Sequence, residues 1–410
     1  MRNFPRAFPV KEPIHCSRLT NTRRESLCEL IYNLNMRITA MFTPRLAMVI
    51  AVSLLVSLNP LVPIHSEAAP SDVTYTATMT KAYAPAGTNG GTDDYHCFLI
   101  DPGITSNVIM TSIQFVPEFA NVVHHAILFR AGSTDISELT TLDKNGAGWP
   151  CFGGIGAPGG MSSFLSSPWL SSWVPGRGID IAPGGYGVPF SSGERIILQV
   201  HYNLLQLPKG LVIHDKSKIV MRAVPAIGSK LKSLSVDLVP APVELACPKG
   251  VRGPLCDRSK SLQDLANRTS SQSAFEAAGL DLLCGQSAFH PVPSITSTCT
   301  NTITQGETVI EAAPHMHLLG RSLKIVLNPG SSKQQVLLDR PNYNFDDQHA
   351  SILKKPVALH KGDKVQVTCT FDPRLRQLLP QLKKLPPRYV TWGEGSSDEM
   401  CLGILEVVKG

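Results

Sequence analysis

Two imidazoles stand two residues apart in the stretch EAAPHMHLLG, at His315 and His317. In a β-strand, side chains at positions i and i+2 point to the same face. Imidazole nitrogens are ligands for several transition metals. If the stretch is a strand, this spacing predicts that both rings share one ion, with Met316 facing the other way as a core residue.

Two further motifs place histidine in apolar, β-prone surroundings: His124 and His125 in VVHHAILF, and His201 in QVHYN. Adjacent strand residues face opposite ways, so two adjacent ligands of one ion require a strand end or a bulge. A lone histidine in a strand is more often a hydrogen-bonded structural residue than a ligand. Taken by itself, His201 therefore favours the structural interpretation.

A methionine near the end of the chain adds a different kind of ligand. Met400 lies beside Cys401 in WGEGSSDEMCLGIL, after a turn-rich acidic approach. A thioether is a soft ligand that helps to select copper, whereas imidazole serves several metals. Two histidines and a methionine together therefore favour copper over zinc.

The other histidines after residue 69 adjoin a cysteine or lie in polar and turn-like segments. Surface positions are the expectation for them. They are His96, His214, His290, His349 and His360.

The elements that must position these residues are mostly strands. Short β-prone runs broken by Gly and Pro extend from Ser71 to about Pro225 and return from about Pro291. Residues 240–300 have partly helical apolar spacing and cysteines of their own. We predict a mainly β fold, with two tandem antiparallel β-sandwiches of jelly-roll-like form joined by a partly helical, Cys-containing insert. The expected bounds are 70–226, 227–290 and 291–410.

The first 69 residues have the layout of a leader with a secretory signal. The apolar run LAMVIAVSLLVSL at 46–58 follows basic residues and precedes small ones. The run is short for a transmembrane helix, and a retained membrane anchor is the alternative. Met36 or Met41 could be the true start. We expect a secreted protein, extracellular or periplasmic, without stable membrane insertion.

The charge balance argues against a nucleic-acid partner. Removing the eight basic and four acidic residues of the leader from a net charge of +6 leaves +2. A nearly neutral mature chain has no electrostatic footprint for nucleic acid.

Eight cysteines lie beyond the leader, and an even number in an exported chain favours disulfides over metal thiolates. No two of them form a CxxC pair, which weakens a zinc-ribbon interpretation. Spacing alone leaves the connectivity open. The eight are Cys97, Cys151, Cys247, Cys256, Cys284, Cys299, Cys369 and Cys401.

The four motifs HHAILF, QVHY, HMHLLGR and DEMC, in this order and at these separations, resemble the copper type II, ascorbate-dependent monooxygenases. That family includes peptidylglycine α-hydroxylating monooxygenase and dopamine β-hydroxylase, and its secreted bacterial members are the more similar. The resemblance runs from about Tyr95 to the end of the chain. It implies that each sandwich holds one copper. The implied ligands are His124, His125 and His201 for the first copper, and His315, His317 and Met400 for the second.

The same resemblance implies a chemistry for the two coppers. An all-imidazole site accepts both Cu(I) and Cu(II), whereas a thioether favours Cu(I), the state that reduces O₂. Ascorbate or a similar reductant would load both coppers, and O₂ would react at the His315, His317 and Met400 site. A substrate C–H bond would become hydroxylated.

Disulfide pairings also follow from the resemblance. Cys369 and Cys401 match a family pair that would hold the strand after Met400. Cys299 matches a family cysteine whose partner lies beyond the end of this chain, which suggests pairing with Cys284. Cys247 with Cys256, and Cys97 with Cys151, are candidate pairs for the remaining cysteines, whose connectivity the sequence leaves open.

Substrate recognition differs from that of the peptide-amidating branch. Where that branch carries an Arg before the HxH pair and Asn and Tyr after the Met-Cys pair, this chain has Ala313, Leu402 and Ile404. An apolar wall cannot hold a carboxylate cheaply. A small apolar or aromatic molecule is therefore the expected substrate. Arg321 could supply charge nearby, although an arginine in a strand is usually exposed to solvent.

The leading hypothesis is thus a secreted dicopper monooxygenase that acts on a small molecule with O₂ and an external reductant. The alternative is an exported copper-binding or copper-buffering protein that has the ligands without turnover. A structural or adhesive sandwich would require all four motifs to be coincidence.

Overall fold

The structure, a computed structural model, describes residues 72–87, 92–152, 154–155, 168–174, 178–205, 207–208 and 210–409. It is mainly β, with 44% strand and 11% helix in several antiparallel sheets, none closed into a barrel. The predicted fold class is confirmed. The signal segment and the two candidate start methionines lie outside the described residues.

The first half of the described chain contributes the following strands: β1 Val73–Thr78, β2 Asp93–Ile100, β3 Val108–Val116, β4 Val123–Ala131, β5 Trp149–Pro150, β6 Trp169–Trp173, β7 Asp180–Ile181, β8 Tyr186–Phe190, β9 Arg195–Asn203, β10 Lys218–Pro225 and β11 Lys232–Ser233. The second half contributes β12 Ser235–Ala241, β13 Glu244–Leu245, β14 Thr296–Thr302, β15 Glu307–His315, β16 Gly320–Leu327, β17 Gln335–Arg340, β18 Ser351–Leu359, β19 Lys364–Phe371, β20 Val390–Thr391 and β21 Cys401–Lys409. The helices are α1 Ile136–Asp143, α2 Arg258–Arg268, α3 Ser271–Leu283 and α4 Leu375–Leu378.

Two sheets enclose the first core. One has the strand order β1-β10-β3-β8-β11, with β7 added to β3, and the other has the order β5-β2-β9-β4-β6. Side chains such as Met110 and Met221 from the first sheet meet Phe98 and Leu198 from the second in one buried cluster. Apolar burial between the sheets is the main stabilising contribution to this half.

The sheet that contains β9 is buried on both of its faces. Alternation along β9 in the sequence predicts two different faces, and this prediction is confirmed: Leu198 and Val200 enter the first core, whereas Ile197 belongs to the second. A strand covered on both sides has a nearly continuous apolar sequence, which explains the run RIILQVHY. The polar His201 therefore lies in a buried layer.

The second core lies between two four-stranded sheets, with the orders β12-β21-β15-β18 and β14-β19-β16-β17. Met316 is fully buried in this core, as the sequence predicts. A small sheet of β13 and β20 lies alongside. We call the sheets around the first core the first set of sheets and those around the second core the second set. Strand β12 pairs with β21 along its whole length, so residues 235–241 belong to the second set.

Helices α2 and α3 form the helical part of the insert and contact each other. The side chain of Asp257 caps α2 by accepting from the Lys260 amide, and Ser270 caps α3 in the same way from Ser273. Arg258, in the first turn of α2, pairs with buried Glu244 and with Asp281 of α3, at 2.7 and 2.8 Å. The insert is thus attached to the second set of sheets by a buried ion-pair group.

The expected disulfide Cys369–Cys401 is present, and the candidate pairs Cys97–Cys151, Cys247–Cys256 and Cys284–Cys299 are bridged as well. Each closes a loop of the unfolded chain and so reduces its conformational entropy. Four bridges among the described residues are typical of proteins from oxidising compartments. Among the described residues, no helix combines the length and apolarity needed to cross a membrane.

The surface prediction for the remaining histidines is correct for His214, His290, His349 and His360, which are exposed. It is wrong for His96, which is 7% exposed. The His96 ring stacks on Tyr83 at a centroid distance of 3.9 Å, and its Nε2 bonds the Ala147 carbonyl at 3.1 Å. The Cys97–Cys151 disulfide and the pairing of β2 with β5 bury this stretch. The local sequence around His96 gives no sign of either contact.

Candidate metal centre

The first histidine group forms where β4 meets β9. The pairing register of β4 shifts between Val123 and His125, so His124 is the extra residue of a β-bulge. His125 then lies opposite His201 on β9. The sequence predicts that two adjacent ligands need a bulge or a strand end, and the bulge is present.

Three imidazole nitrogens converge at this bulge. The Nδ1 atoms of His124, His125 and His201 lie 3.2, 3.0 and 3.4 Å from one another. Metal–imidazole bonds of about 2.0 Å place ligand nitrogens about 3.3 Å apart around a tetrahedral centre. These three histidines form a group that could hold a metal ion.

The electrostatics of the first group keep the rings of His124 and His125 neutral. Burial, and then the neighbouring imidazoles, lower the pKa of His124 and of His125 well below the usual value. Neutral rings offer lone pairs to a metal ion at neutral pH. Three lone-pair nitrogens this close to one another would repel without a proton or a cation between them. The donor set therefore fits a metal ion.

A carboxylate orients the most deeply buried ring of this group. Asp93 Oδ1 lies 2.8 Å from His201 Nε2, so that nitrogen donates and Nδ1 remains free as a ligand. Burial alone would raise the pKa of Asp93, but the hydrogen bond with His201 lowers it to about 2. Asn203 and Ser396 also donate to the same carboxylate oxygen. Asp93 is a site residue that the sequence analysis missed.

The second histidine group departs from the strand geometry expected for HMH. Strand β15 ends at His315, and His317 lies beyond it. The amides of His317 and Leu319 donate to the buried carboxylate of Glu399 instead of continuing the sheet. The two rings nevertheless come together, with centroids 5.3 Å apart and planes nearly perpendicular.

Each ring of the second group has one nitrogen engaged and the other available. His315 Nδ1 bonds Gln348 Oε1 at 2.8 Å, and His317 Nδ1 bonds the Asp398 carbonyl at 3.2 Å. His317 Nε2 is buried without a hydrogen-bond partner among the described residues. Burial lowers the pKa of His315 to about 4 and that of His317 to about 3. Both rings are therefore neutral at neutral pH, and each can offer a nitrogen lone pair to a metal ion.

Met400 reaches the same region by strand pairing. His315 pairs with Leu402 across β15 and β21, and Met400 follows directly after Asp398 and Glu399, which both accept hydrogen bonds from His317. Met400 is 5% exposed and lines one cavity together with His315 and His125. The methionine thus lies within the buried junction and not in solvent.

The two histidine groups face each other. The His125 and His315 ring centroids are 6.2 Å apart, and those of His124 and His317 are 6.5 Å apart. All five rings therefore belong to one buried junction between the two sets of sheets. Sequence spacing gives no information on this approach, because it depends on how the sheets pack.

The cavity at this junction has mostly apolar and aromatic walls. Its walls include Trp169 and Trp173 from β6 as well as Leu402 and Ile404 from β21. Ala313 lines a neighbouring cavity that also contains Ile404 and Trp169. Arg321 is exposed and does not line the cavity beside Met400.

Residues 283–405 match the family model for the C-terminal domain of the copper type II ascorbate-dependent monooxygenases. Dopamine beta-hydroxylase from Equus caballus is 28% identical over 114 residues, which cover 26% of this chain and 17% of that protein. The chain thus spans a small part of the curated relative it matches.

These matches show that residues 283–405 are similar to the C-terminal domain of the copper type II, ascorbate-dependent monooxygenases.

Likenesses to solved structures are weak. Allantoicase gives a TM-score of 0.18 at 11% identity, covering 71% of this chain and 77% of that chain. A xanthan lyase from Paenibacillus gives a TM-score of 0.18 at 10% identity, covering 83% and 25%. Values this low carry no argument about fold or function.

Proposed function

We propose that the protein is an exported copper-dependent monooxygenase that hydroxylates a C–H bond of a small apolar or aromatic molecule. It would use O₂ and an external reductant such as ascorbate. One oxygen atom would enter the C–H bond and the other would leave as water, with two electrons supplied by the reductant. The family match of residues 283–405 supports the copper and ascorbate part of this proposal.

The observation that carries the proposal is the cavity beside the two histidine groups. His125, His315 and Met400 line it together with a largely apolar and aromatic wall. Ligand sites are typically concave and mostly apolar with a few convergent polar groups. A substrate in this cavity would lie next to the proposed metal ligands and away from bulk water.

In the proposal, His124, His125 and His201 hold one copper, and His315, His317 and Met400 hold the other. Bound copper would supply one-electron transfer and activation of O₂, which protein side chains cannot provide. The proposed bounds of the two copper-binding sandwiches are residues 70–226 and 291–410.

The chain itself supplies orientation and exclusion of water. Asp93, Gln348 and the Asp398 carbonyl each bond the ring nitrogen that is not used for the metal. Such partners fix the tautomer and direction of a ligating imidazole. His201 and His317 are completely buried, which keeps their second nitrogens from water.

The substrate class follows from the wall chemistry. Ile127, Trp173, Leu402 and Ile404 give the cavity an apolar surface, and no Lys or Arg of the described ranges lines it. A buried carboxylate without a cationic partner is costly. The proposal therefore favours neutral apolar or aromatic groups at the reacting carbon over the carboxylate end of a peptide.

Export is supported by the four disulfides, since such bridges persist in oxidising compartments. The proposed localisation is extracellular or periplasmic. The segment that suggests it, residues 1–69, lies outside the described residues.

The test is oxygen-isotope incorporation. Copper-loaded protein is supplied with ascorbate, ¹⁸O₂ and a panel of aromatic and aliphatic small molecules, and the products are analysed by mass spectrometry. We expect one ¹⁸O atom per hydroxylated product, and loss of that product in Met400→Ile.

The matched control is Met221→Ile, which alters a fully buried methionine in the first core. Its product yield should equal that of the wild type. Two bound coppers without ¹⁸O in any product would instead support the copper-binding or copper-buffering alternative.

A further inference from the structure

The loop GEGSSDE, residues 393–399, contacts both helix α2 of the insert and the candidate metal centre. It ends directly before Met400, and Glu394, Ser396, Asp398 and Glu399 are all less than 8% exposed. Such a concentration of buried polar side chains requires partners. The partners come from both sets of sheets and from helix α2.

Two guanidinium groups balance the carboxylates beneath this loop. Arg268, the last residue of α2, donates to Asp398 at 2.9 Å and to Asp264 at 2.8 Å. Arg388 pairs with the same two carboxylates, at 3.7 and 2.8 Å. Removing one partner of a buried ion pair strongly destabilises the folded protein, because the remaining charge is left uncompensated. The position of Asp398 therefore depends on Arg268 and Arg388.

Close packing leaves this loop little freedom relative to the helix. A Cβ atom added at Gly395 would lie 2.7 Å from Asp398 Oδ2, and one added at Gly393 would lie 3.1 Å from a methyl group of Leu265 on α2. These glycines allow the loop backbone to approach the helix. A displacement of α2 would therefore move Asp398.

Asp398 in turn orients a candidate ligand. Its backbone carbonyl accepts from His317 Nδ1, which leaves His317 Nε2 as the free nitrogen. The next residue, Glu399, accepts from the His317 amide at 2.9 Å. The residue after that is Met400. The loop thus holds the ring and carries the thioether at the same time.

We infer that Arg268 is a positioning residue: through Asp398 it fixes the ring of His317 beside Met400, so that the helical insert supports the second metal site. Arg268 acts through Asp398 and is not a catalytic residue. The metal part of this inference rests on the proposed function, whereas the orientation of His317 can be measured without metal.

The experiment compares Arg268→Gln with the wild type in two states of the full chain. In the metal-free state, proteins labelled with ¹⁵N-histidine report the tautomer of His317 by NMR, with the signal assigned from His317→Gln. In the copper-loaded state, X-ray absorption reports a copper–sulfur contribution, and competition with a Cu(I) chelator reports affinity.

We expect wild-type His317 to carry its proton on Nδ1, and Arg268→Gln to show a mixture of tautomers. Cu(I) affinity at the His317 and Met400 site should fall by roughly tenfold, the low end of the range for losing a direct partner of a ligand, because Arg268 acts through Asp398. The copper–sulfur contribution should fall as well. Arg268→Lys, which keeps the charge, should restore a large part of each signal.

Arg374→Gln is the matched control, because it removes an exposed arginine that pairs with Asp372. It should leave all three readouts unchanged. If Arg268→Gln does not fold, Asp264→Asn weakens the hold on Arg268 while keeping both guanidinium groups, and the same shift is expected.

A folded Arg268→Gln protein with the wild-type His317 tautomer would overturn the inference. A wild-type protein without any copper–sulfur contribution would overturn the proposed ligand set instead. The tautomer comparison decides the role of Arg268 in either case.

Discussion

Three of the five rings at the junction are oriented by acceptors of different kinds. His201 uses the Asp93 carboxylate, His315 uses the Gln348 amide oxygen, and His317 uses a backbone carbonyl. A charged acceptor makes a stronger hydrogen bond than a neutral one. His201 should therefore be the most firmly fixed of the three.

Asp93→Asn tests this difference at the residue scale. The amide keeps the size of the side chain but removes the charge that supports the His201 imidazole. We expect copper affinity at the first histidine group to fall by roughly tenfold to a hundredfold. Titration with a competing chelator measures it.

Asp101→Asn serves as the control, because Asp101 pairs with Arg195 in an exposed ion pair. Its copper affinity should stay at the wild-type value. Unchanged affinity in Asp93→Asn would contradict the orienting role of Asp93.

The sequence was informative about ligand types but not about their supports. The need for a bulge at His124 follows from strand geometry alone, and the bulge is present. Asp93 begins a β-prone run and lies opposite Asn203, so a paired-strand prediction of β2 and β9 could have found it. Gln348 and Glu399 give no such signal, because their contacts depend on how distant loops fold over the sheets.

At the scale of elements, the buried group of Glu244, Arg258 and Asp281 attaches the insert. Two carboxylates share one guanidinium group, so one carboxylate retains its proton more readily. Burial, and then the nearby Glu244, raise the pKa of Asp281 to about 7, although Arg258 opposes the shift.

A raised pKa in the folded state makes stability depend on pH. The contribution of Asp281 is fully present below its unfolded pKa of about 4 and is lost as the pH rises through about 7. We expect the unfolding free energy of the wild type, relative to Asp281→Asn, to fall by roughly 1–3 kcal/mol between pH 4.5 and about pH 8.

Urea unfolding at several pH values measures this difference. The exposed pair of Asp339 with Lys324 supplies the control, since Asp339→Asn should show no comparable trend. A flat difference between the wild type and Asp281→Asn would show that Asp281 is ionised throughout.

The disulfide Cys369–Cys401 joins β19 to the start of β21, directly after Met400. It spans 32 residues, whereas Cys247–Cys256 spans 9. In the chain-entropy account, the longer loop contributes about 4 kcal/mol and the shorter one about 2.5 kcal/mol.

Replacing each pair by serine and measuring urea unfolding should give losses in that order. The Cys369/Cys401 variant should also bind Cu(I) more weakly, while the Cys247/Cys256 variant serves as the matched control. A larger loss of stability in the control would contradict the order that the loop lengths predict.

Elements were easier to predict than their ends. The β-prone runs and the partly helical insert are all present as strands and helices. The spacing argument for HMH assumes a strand through His317, but β15 ends at His315, and the amides of His317 and Leu319 donate to the carboxylate of Glu399. A strand end that depends on a side chain distant in sequence cannot be predicted from the neighbouring residues.

At the scale of the whole molecule, two sets of sheets bring five imidazoles and one thioether to a single buried junction. The centroid distances of 6.2 and 6.5 Å across the junction depend on how the sheet of β2, β9 and β4 packs against β15 and β21. Motif order in the sequence indicates which residues belong together within each set. It carries no information on the distance between the two sets.

The most direct test of the proposed dicopper centre is a crystal structure of copper-loaded protein with anomalous scattering measured at the copper edge. The account predicts two peaks per chain, one among the Nδ1 atoms of His124, His125 and His201, and one within bonding distance of His315, His317 and the Met400 sulfur. A single peak, or a second peak without the Met400 sulfur as a neighbour, would contradict it.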